Sequence, residues 1–130
     1  MPEYVLDTHA CLFALGAPKK LGRRARRALE AADARGHRVW LPAAVAAEVV
    51  MLQQLGRTSL GVPALRQAFE HSCWRFLALD LQQIDEFAAL AAIRDPFDHL
   101  IMAAARCTGA KLISRDAALE ELALVEVIWS

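Results

Sequence analysis

The sequence predicts an α/β fold: a three-layer α/β/α sandwich around a mostly parallel sheet of four to five strands. Three observations lead there. Short apolar, β-rich runs recur along the chain, helical patterns fill the intervals between them, and the connections are short.

The elements follow in order. "YVLD" (4–7) reads as a first buried strand and "THACLFALG" (8–16) as the helix that follows it. The tract 21–36 places Leu21, Ala25, Ala28, Leu29 and Ala32 on one face, with Gly36 as its end signal. "RVWLP" (38–42) is a second strand, and "AAVAAEVVMLQQLG" (43–56) is a helix that starts after Pro42 and stops at Gly56. "PALRQAFEHS" (63–72) opens with a proline suited to a first helical turn. "RFLALD" (75–80) reads as a strand and "LQQIDEFAALAAI" (81–93) as a helix. The next helix, 96–109, has Asp95 as N-cap, Pro96 at its first position and Gly109 past its end. "KLIS" (111–114) and "VEVIW" (125–129) complete the strands.

No linker, repeat or low-complexity tract interrupts the 130 residues, so a single domain over 1–130 is expected, long enough to build a core without disulfides or zinc. Lys+Arg and Asp+Glu both count 15, so bulk charge gives no reason to expect nucleic-acid binding; only local charge can. The three cysteines, Cys11, Cys73 and Cys107, are odd in number and lack C-x-x-C spacing. Reduced thiols in a cytoplasmic protein are expected. Asp7 interrupts the first apolar run too early for a signal peptide, and "VWLPAAVAAEVVML" is too short to span a bilayer and contains Glu48. No membrane association is expected.

Four acids stand in apolar company. Asp7 closes the first strand, and Asp116 follows "KLIS". Glu48 projects near the middle of an apolar stripe with Ala44, Leu52 and Leu55, while Gln53, Gln54 and Arg57 face away. Asp98 projects with Ile101, Met102 and Ala105. A carboxylate in such a place must be neutralised, paired or bound to a cation. Bland explanations exist for each: Asp7 and Asp116 suit N-caps, Asp98 with Asp95 suits a capping box, and Glu48 suits an ion pair with a buried cation. Taken together, the set points further. Ligand sites in open parallel sheets form beyond the carboxyl ends of the strands. Asp7 and Asp116 lie at such ends, and Glu48 and Asp98 lie early in neighbouring helices. If their strands are adjacent, the four share one pocket, and four carboxylates cannot all stay ionised without a cation. Hard oxygen donors suit Mg²⁺ or Mn²⁺, and that chemistry is typically phosphodiester hydrolysis.

"YVLDTHACLFAL", Glu48 after the second strand, "RDPFDHLIMAAA" and "LISRD", in this order, resemble the PIN-domain ribonucleases, and within them the VapC-type toxins of type II toxin–antitoxin modules. The resemblance covers essentially the whole chain. It implies a five-stranded parallel sheet and a metal-dependent endoribonuclease using Mg²⁺ or Mn²⁺ on an RNA substrate. It implies a homodimer, and inhibition by a VapB-type antitoxin whose tail covers the active site. By position, it assigns the metal ligands to Asp7, Glu48, Asp98 and Asp116. Ser114 matches a Thr or Ser that helps hold water or metal, Thr8 completes the family's Asp-Thr pair, and Asp95 reads as a cap. Two positions depart: His99 stands where many members have Arg, and Ser114 replaces the commoner Thr.

"KKLGRRARR" (19–27) holds six basic residues in nine. Arg23, Arg24 and Arg27 read either as contacts to RNA or antitoxin or as a solvated helix face. His9 and His99 neighbour candidate ligands and read mainly as structural hydrogen-bonding groups, with contact to metal, substrate or the dimer partner as the alternative. No Cys/His spacing supports a zinc site. Trp40, Trp74 and Trp129 are expected in the core. The apolar side chains of "VVMLQQL" and "CLFAL" suit either core packing or a dimer or antitoxin groove. Two rivals remain. A phosphorylation-receiver domain would need paired acids after its first strand, and Asp7 stands alone. A non-catalytic PIN-like module binding RNA or protein would be favoured by an incomplete acid set, and this set is complete.

Overall fold

The computed structural model describes residues 2–130. Five strands form one sheet: β1 (Tyr4–Leu6), β2 (Val39–Pro42), β3 (Trp74–Leu77), β4 (Lys111–Ile113) and β5 (Val127–Ile128). Their order is β3-β2-β1-β4-β5, and every neighbouring pair is parallel. The helices are α1 (Thr8–Gly16), α2 (Arg23–Arg35), α3 (Ala43–Gln54), α4 (Val62–His71), α5 (Leu81–Ala89), α6 (Pro96–Thr108) and α7 (Ala117–Glu121). The alternation of strand and helix follows the sequence expectation, and the sheet has the upper of the two strand counts.

The order matters for function. After β1 the chain builds outward through β2 and β3, then returns to lay β4 on the other side of β1. The carboxyl ends of β1 and β4 thus flank the point where the winding reverses, where an open parallel sheet leaves a crevice. Asp7 and Ser114 are the residues that directly follow those two strands.

The core explains why the strands read as unbroken apolar runs. Val5, Leu6, Val39, Leu41, Leu112 and Ile113 are fully buried, as strands covered on both faces must be. Helix α6 is buried almost all round: His99 and Ile101 through Ala105 are inaccessible to solvent or nearly so. Three consecutive alanines, Ala103 to Ala105, let its neighbours pack close. It packs against α3, α5, β1 and β4. Its first turn, which carries Asp98, is held by the Asp95 carboxylate, which accepts from the Phe97 amide at 2.8 Å and the Asp98 amide at 3.3 Å. Gly109, with φ of +68°, closes the helix.

Boundaries differ from expectation for identifiable reasons. The third strand stops at Leu77 rather than at residue 80, because Asp80 caps α5 by accepting from the Gln83 amide at 2.9 Å. Helix α5 ends at Ala89, not at residue 93, and the chain turns back so that α6 packs along α5. Helix α2 starts at Arg23 rather than Leu21, after a single 3₁₀ turn at Pro18–Lys20 that the sequence did not reveal. Gly22 precedes α2 where a Cβ would lie 2.2 Å from the Trp129 carbonyl oxygen, and the Ala25 amide donates to that same oxygen at 3.0 Å. Only glycine allows this close approach to the end of β5.

Of the three tryptophans, Trp74 is buried, whereas Trp40 and Trp129 are only half-buried. Trp40 keeps its Nε1 near the surface to donate to Glu3 Oε1 at 2.7 Å. All three cysteines are free thiols. Among the described residues, no helix is long and apolar enough to cross a membrane.

Candidate active site

Asp7, Glu48, Asp98 and Asp116 line one cavity of about 410 Å³, together with Thr8, His9, Asp95 and Arg115. Each acid arrives from a different element. Asp7 leaves β1 and caps α1, its Oδ1 accepting from the Ala10 amide at 2.8 Å. Asp116 follows β4 and caps α7, its Oδ1 accepting from the Ala118 amide at 2.9 Å. For these two the simple capping account is correct, and it holds alongside membership of the cavity. One carboxylate oxygen of each is committed to the backbone, which fixes where the other points.

Asp98 and Glu48 have no such duty. Half of the capping box expected for α6 forms: Asp95 caps Asp98, while the Asp98 carboxylate makes no hydrogen bond among the described residues. Glu48 is half-buried at the edge of the face marked by the buried Val45 and Val49, not in the middle of an apolar stripe. Leu55, expected beside it, is 61 % exposed, because α3 ends at Gln54 before completing that turn. The Thr8 hydroxyl donates to Glu48 Oε1, tying α1 to α3 across the cavity.

Burial pushes the Asp7 carboxyl upward from its usual range; the Ser114 hydroxyl, the Ala10 amide and the nearby His9 pull the other way. Asp98 is pushed up to about 7, by burial first and then by the charges of Asp95, Asp116, Asp7 and Glu48. Burial, and for Asp98 the neighbouring carboxylates as well, thus disfavour the charged form of two of these acids, and a cation placed among them would favour it. Ser114 is buried beneath it, and its Oγ accepts from the Asp116 amide at 3.1 Å.

The remaining candidates separate. His9 is exposed and lines the cavity. His99 does not: it is buried, stacked on Phe87 with ring centroids 3.7 Å apart, and its Nε2 lies 3.0 Å from the Phe87 carbonyl oxygen. It joins α6 to α5, so it does not take the place of a cation beside the acids. Arg23, Arg24 and Arg27 are exposed on α2 and do not line the cavity. Arg115, which sequence reasoning overlooked, does line it. The clue was its place in "SRD", one residue before Asp116.

The PIN-domain family model matches residues 4–125. The chain belongs to the PIN-domain family. Solved structures of similar fold support the PIN-domain architecture. VapBC2 from Rickettsia felis bound to a DNA fragment from its promoter superposes with a TM-score of 0.72 at 14% identity, over 98% of this chain and 99% of that one. VapBC-1 from nontypeable Haemophilus influenzae gives a TM-score of 0.69 at 15% identity, over 97% and 96% of the two chains. A toxin–antitoxin complex from Klebsiella pneumoniae gives 0.56 at 18% identity, over 88% and 87%. No match is found among curated proteins.

The donor chemistry of this PIN-domain cavity fits a hard divalent cation. All its acids offer carboxylate oxygen. Among the described residues, no three acidic, histidine or cysteine side chains converge closely enough to enclose an ion.

Proposed function

We propose that the chain is a metal-dependent endoribonuclease and the toxin of a type II toxin–antitoxin pair. One observation carries the catalytic part: carboxylates from four separate elements line one cavity, with Asp98 pushed up to about 7 by burial first and then by Asp95 and the other three acids. In this reading Asp7, Asp98 and Asp116 would hold Mg²⁺ or Mn²⁺, and Glu48 would complete the set. When bound, such an ion would neutralise phosphate charge and lower the pKa of a coordinated water. Glu48, steered by the Thr8 hydroxyl, orients the attacking water and accepts its proton. Ser114 positions Asp116 through the amide bond and Asp7 from beneath. Water adds to phosphorus, the P–O3′ bond breaks, and the 3′ oxygen takes up a proton, leaving 5′-phosphate and 3′-hydroxyl ends.

The toxin part rests on family and neighbours. The fold is that of chains in VapBC and other toxin–antitoxin complexes, so a VapB-type antitoxin is the proposed protein partner, its tail covering the acidic cavity. A homodimer belongs to the same proposal; Phe76, Leu79 and Leu81, 49%, 46% and 74% exposed at the edge strand and the start of α5, give it apolar surface to bury. Three free thiols suit action in the cytoplasm.

The test is to incubate purified protein with total RNA and Mg²⁺ or Mn²⁺, with and without chelator, and to map new 5′ ends by sequencing. Discrete, chelator-sensitive ends bearing 5′-phosphate are expected. No metal-dependent cleavage of any RNA would leave a non-catalytic PIN-like binding module.

A further inference from the structure

Arg115 occupies an unusual electrostatic position. It is the one Lys or Arg lining a cavity that also presents Asp7, Glu48, Asp95, Asp98 and Asp116. Yet among the described residues it forms no ion pair with any of them. Its guanidinium lies instead 4.9 Å from the centroid of the Phe13 ring. Its backbone is pinned on both sides, by the Ser114 amide donating to Ile128 O and by the Asp116 cap on α7. The same ring holds a second cation, Lys20 Nζ, at 5.7 Å, and Lys20 has no carboxylate partner among the described residues either. Phe13 is itself fixed by the tilted rings of His9, 6.1 Å away, and Trp129, 6.2 Å away.

An RNA strand threading the cavity brings more than one phosphate. The acids suit only the phosphate at the metal; the neighbouring one meets a field of carboxylates unless cations stand beside it. Arg115 lines the cavity and Lys20 does not, and a ring that holds both supplies cations without their collapsing onto the acids. Base-tolerant binding of single strands relies on cations that track the phosphate backbone.

We propose that Arg115 and Lys20, held against Phe13, form a subsite for the RNA backbone phosphate next to the one hydrolysed. The strand then leaves the cavity across α1. This rests on the ribonuclease reading and assigns that site its substrate exit.

The test uses full-length protein carrying Asp98→Asn, which keeps RNA intact, and a fluorescein-labelled oligouridine as probe. Anisotropy titrations with Mg²⁺ present are run across a salt series. Arg115→Gln is expected to weaken binding about fivefold to tenfold and to reduce the slope of log K against log salt by about 0.7, the value for one contact to a single strand. Lys20→Gln, at an exposed site, should do the same to a lesser extent, and Arg115→Lys should retain the slope. Unchanged affinity and slope in both Gln variants would overturn the proposal. So would a loss of affinity with the slope unchanged, which would mark Arg115 as merely structural, or no measurable binding of the probe. Failure of the ribonuclease reading is seen separately, as absence of metal-dependent cleavage by the wild-type protein.

Discussion

Asp7 and Asp116, which follow β1 and β4, each commit a carboxylate oxygen to the amide of the next helix, whereas Asp98 and Glu48, carried on α6 and α3, cap nothing. The strand-end acids are therefore part of the fold as well as of the cavity. The helix-borne acids are held in place by helices that would form without them. The difference separates what a mutation does to chemistry from what it does to stability. It predicts that the two pairs fail differently when altered.

The largest effect is expected at Asp98. Asp98→Asn should lower the RNA cleavage rate by roughly 10²–10³, the usual loss when one electrostatic group of a site is removed. It should leave the thermal midpoint unchanged or raised, because burial and four neighbouring acids disfavour the charge it removes. Single-turnover cleavage and a melting curve on the same preparation decide the point. Cleavage at the wild-type rate would remove Asp98 from the site.

Asp7 should behave otherwise. Asp7→Ala leaves the buried Ala10 amide without its acceptor, at a cost of about 2 kcal/mol from the lost cap and the unsatisfied donor. Asp7→Asn keeps an acceptor there and removes a charge that burial disfavours, so it should keep its urea midpoint while losing cleavage. If both variants unfold alike, Asp7 is no different from a helix-borne acid in this respect and the comparison breaks.

How much of this was legible in the sequence follows from the same physics. Asp7, Glu48, Asp98 and Asp116 stood out because an acid within an apolar pattern is locally anomalous, and strand alternation placed them at one sheet edge. The stripe around Glu48 was misjudged because a helical projection assumes the helix continues, and α3 ends before Leu55. His99 reads as a structural hydrogen-bonding group and is one, but its stacking partner Phe87 comes from another helix and is not legible locally. Arg115 was missed because an arginine beside an aspartate looks paired in one dimension. Only the fold brings Phe13 beneath it. Gly22 likewise reads as a weak helix residue until Trp129 is seen against it.

A pH series probes the charge of the helix-borne Asp98. The Asp98 carboxyl moves from 3.8 to about 7 on folding without metal. Between those values the folded protein binds the proton more tightly than the unfolded chain. The resulting stability is fully present below 3.8 and is lost as pH rises through about 7. Asp98 is half exposed, so solvent screening leaves this on the order of 1 kcal/mol. In chelator, the urea midpoint should fall between about pH 4 and pH 7, and Asp98→Asn should flatten the decline. A wild-type curve flat over that range would show that the cavity is less strained by its charge than its geometry indicates.

The smallest effect concerns the other strand-end acid. Helix α7 has five residues, and only Leu119 within it is buried, so its cap stabilises little else. Asp116→Ala should cost about 0.5–1 kcal/mol. Asp116→Asn, which retains an oxygen for the Ala118 amide, should cost close to nothing. Both should lower cleavage to a similar degree, by no more than Asp98→Asn does, if the charge of Asp116 is what the cavity uses. The gap between the two thermal midpoints thus measures the cap alone, and the shared loss of activity measures the charge alone. An Asn variant that melts as early as the Ala variant would show that the two roles of Asp116 cannot be separated, and that its charge holds the strand end in place.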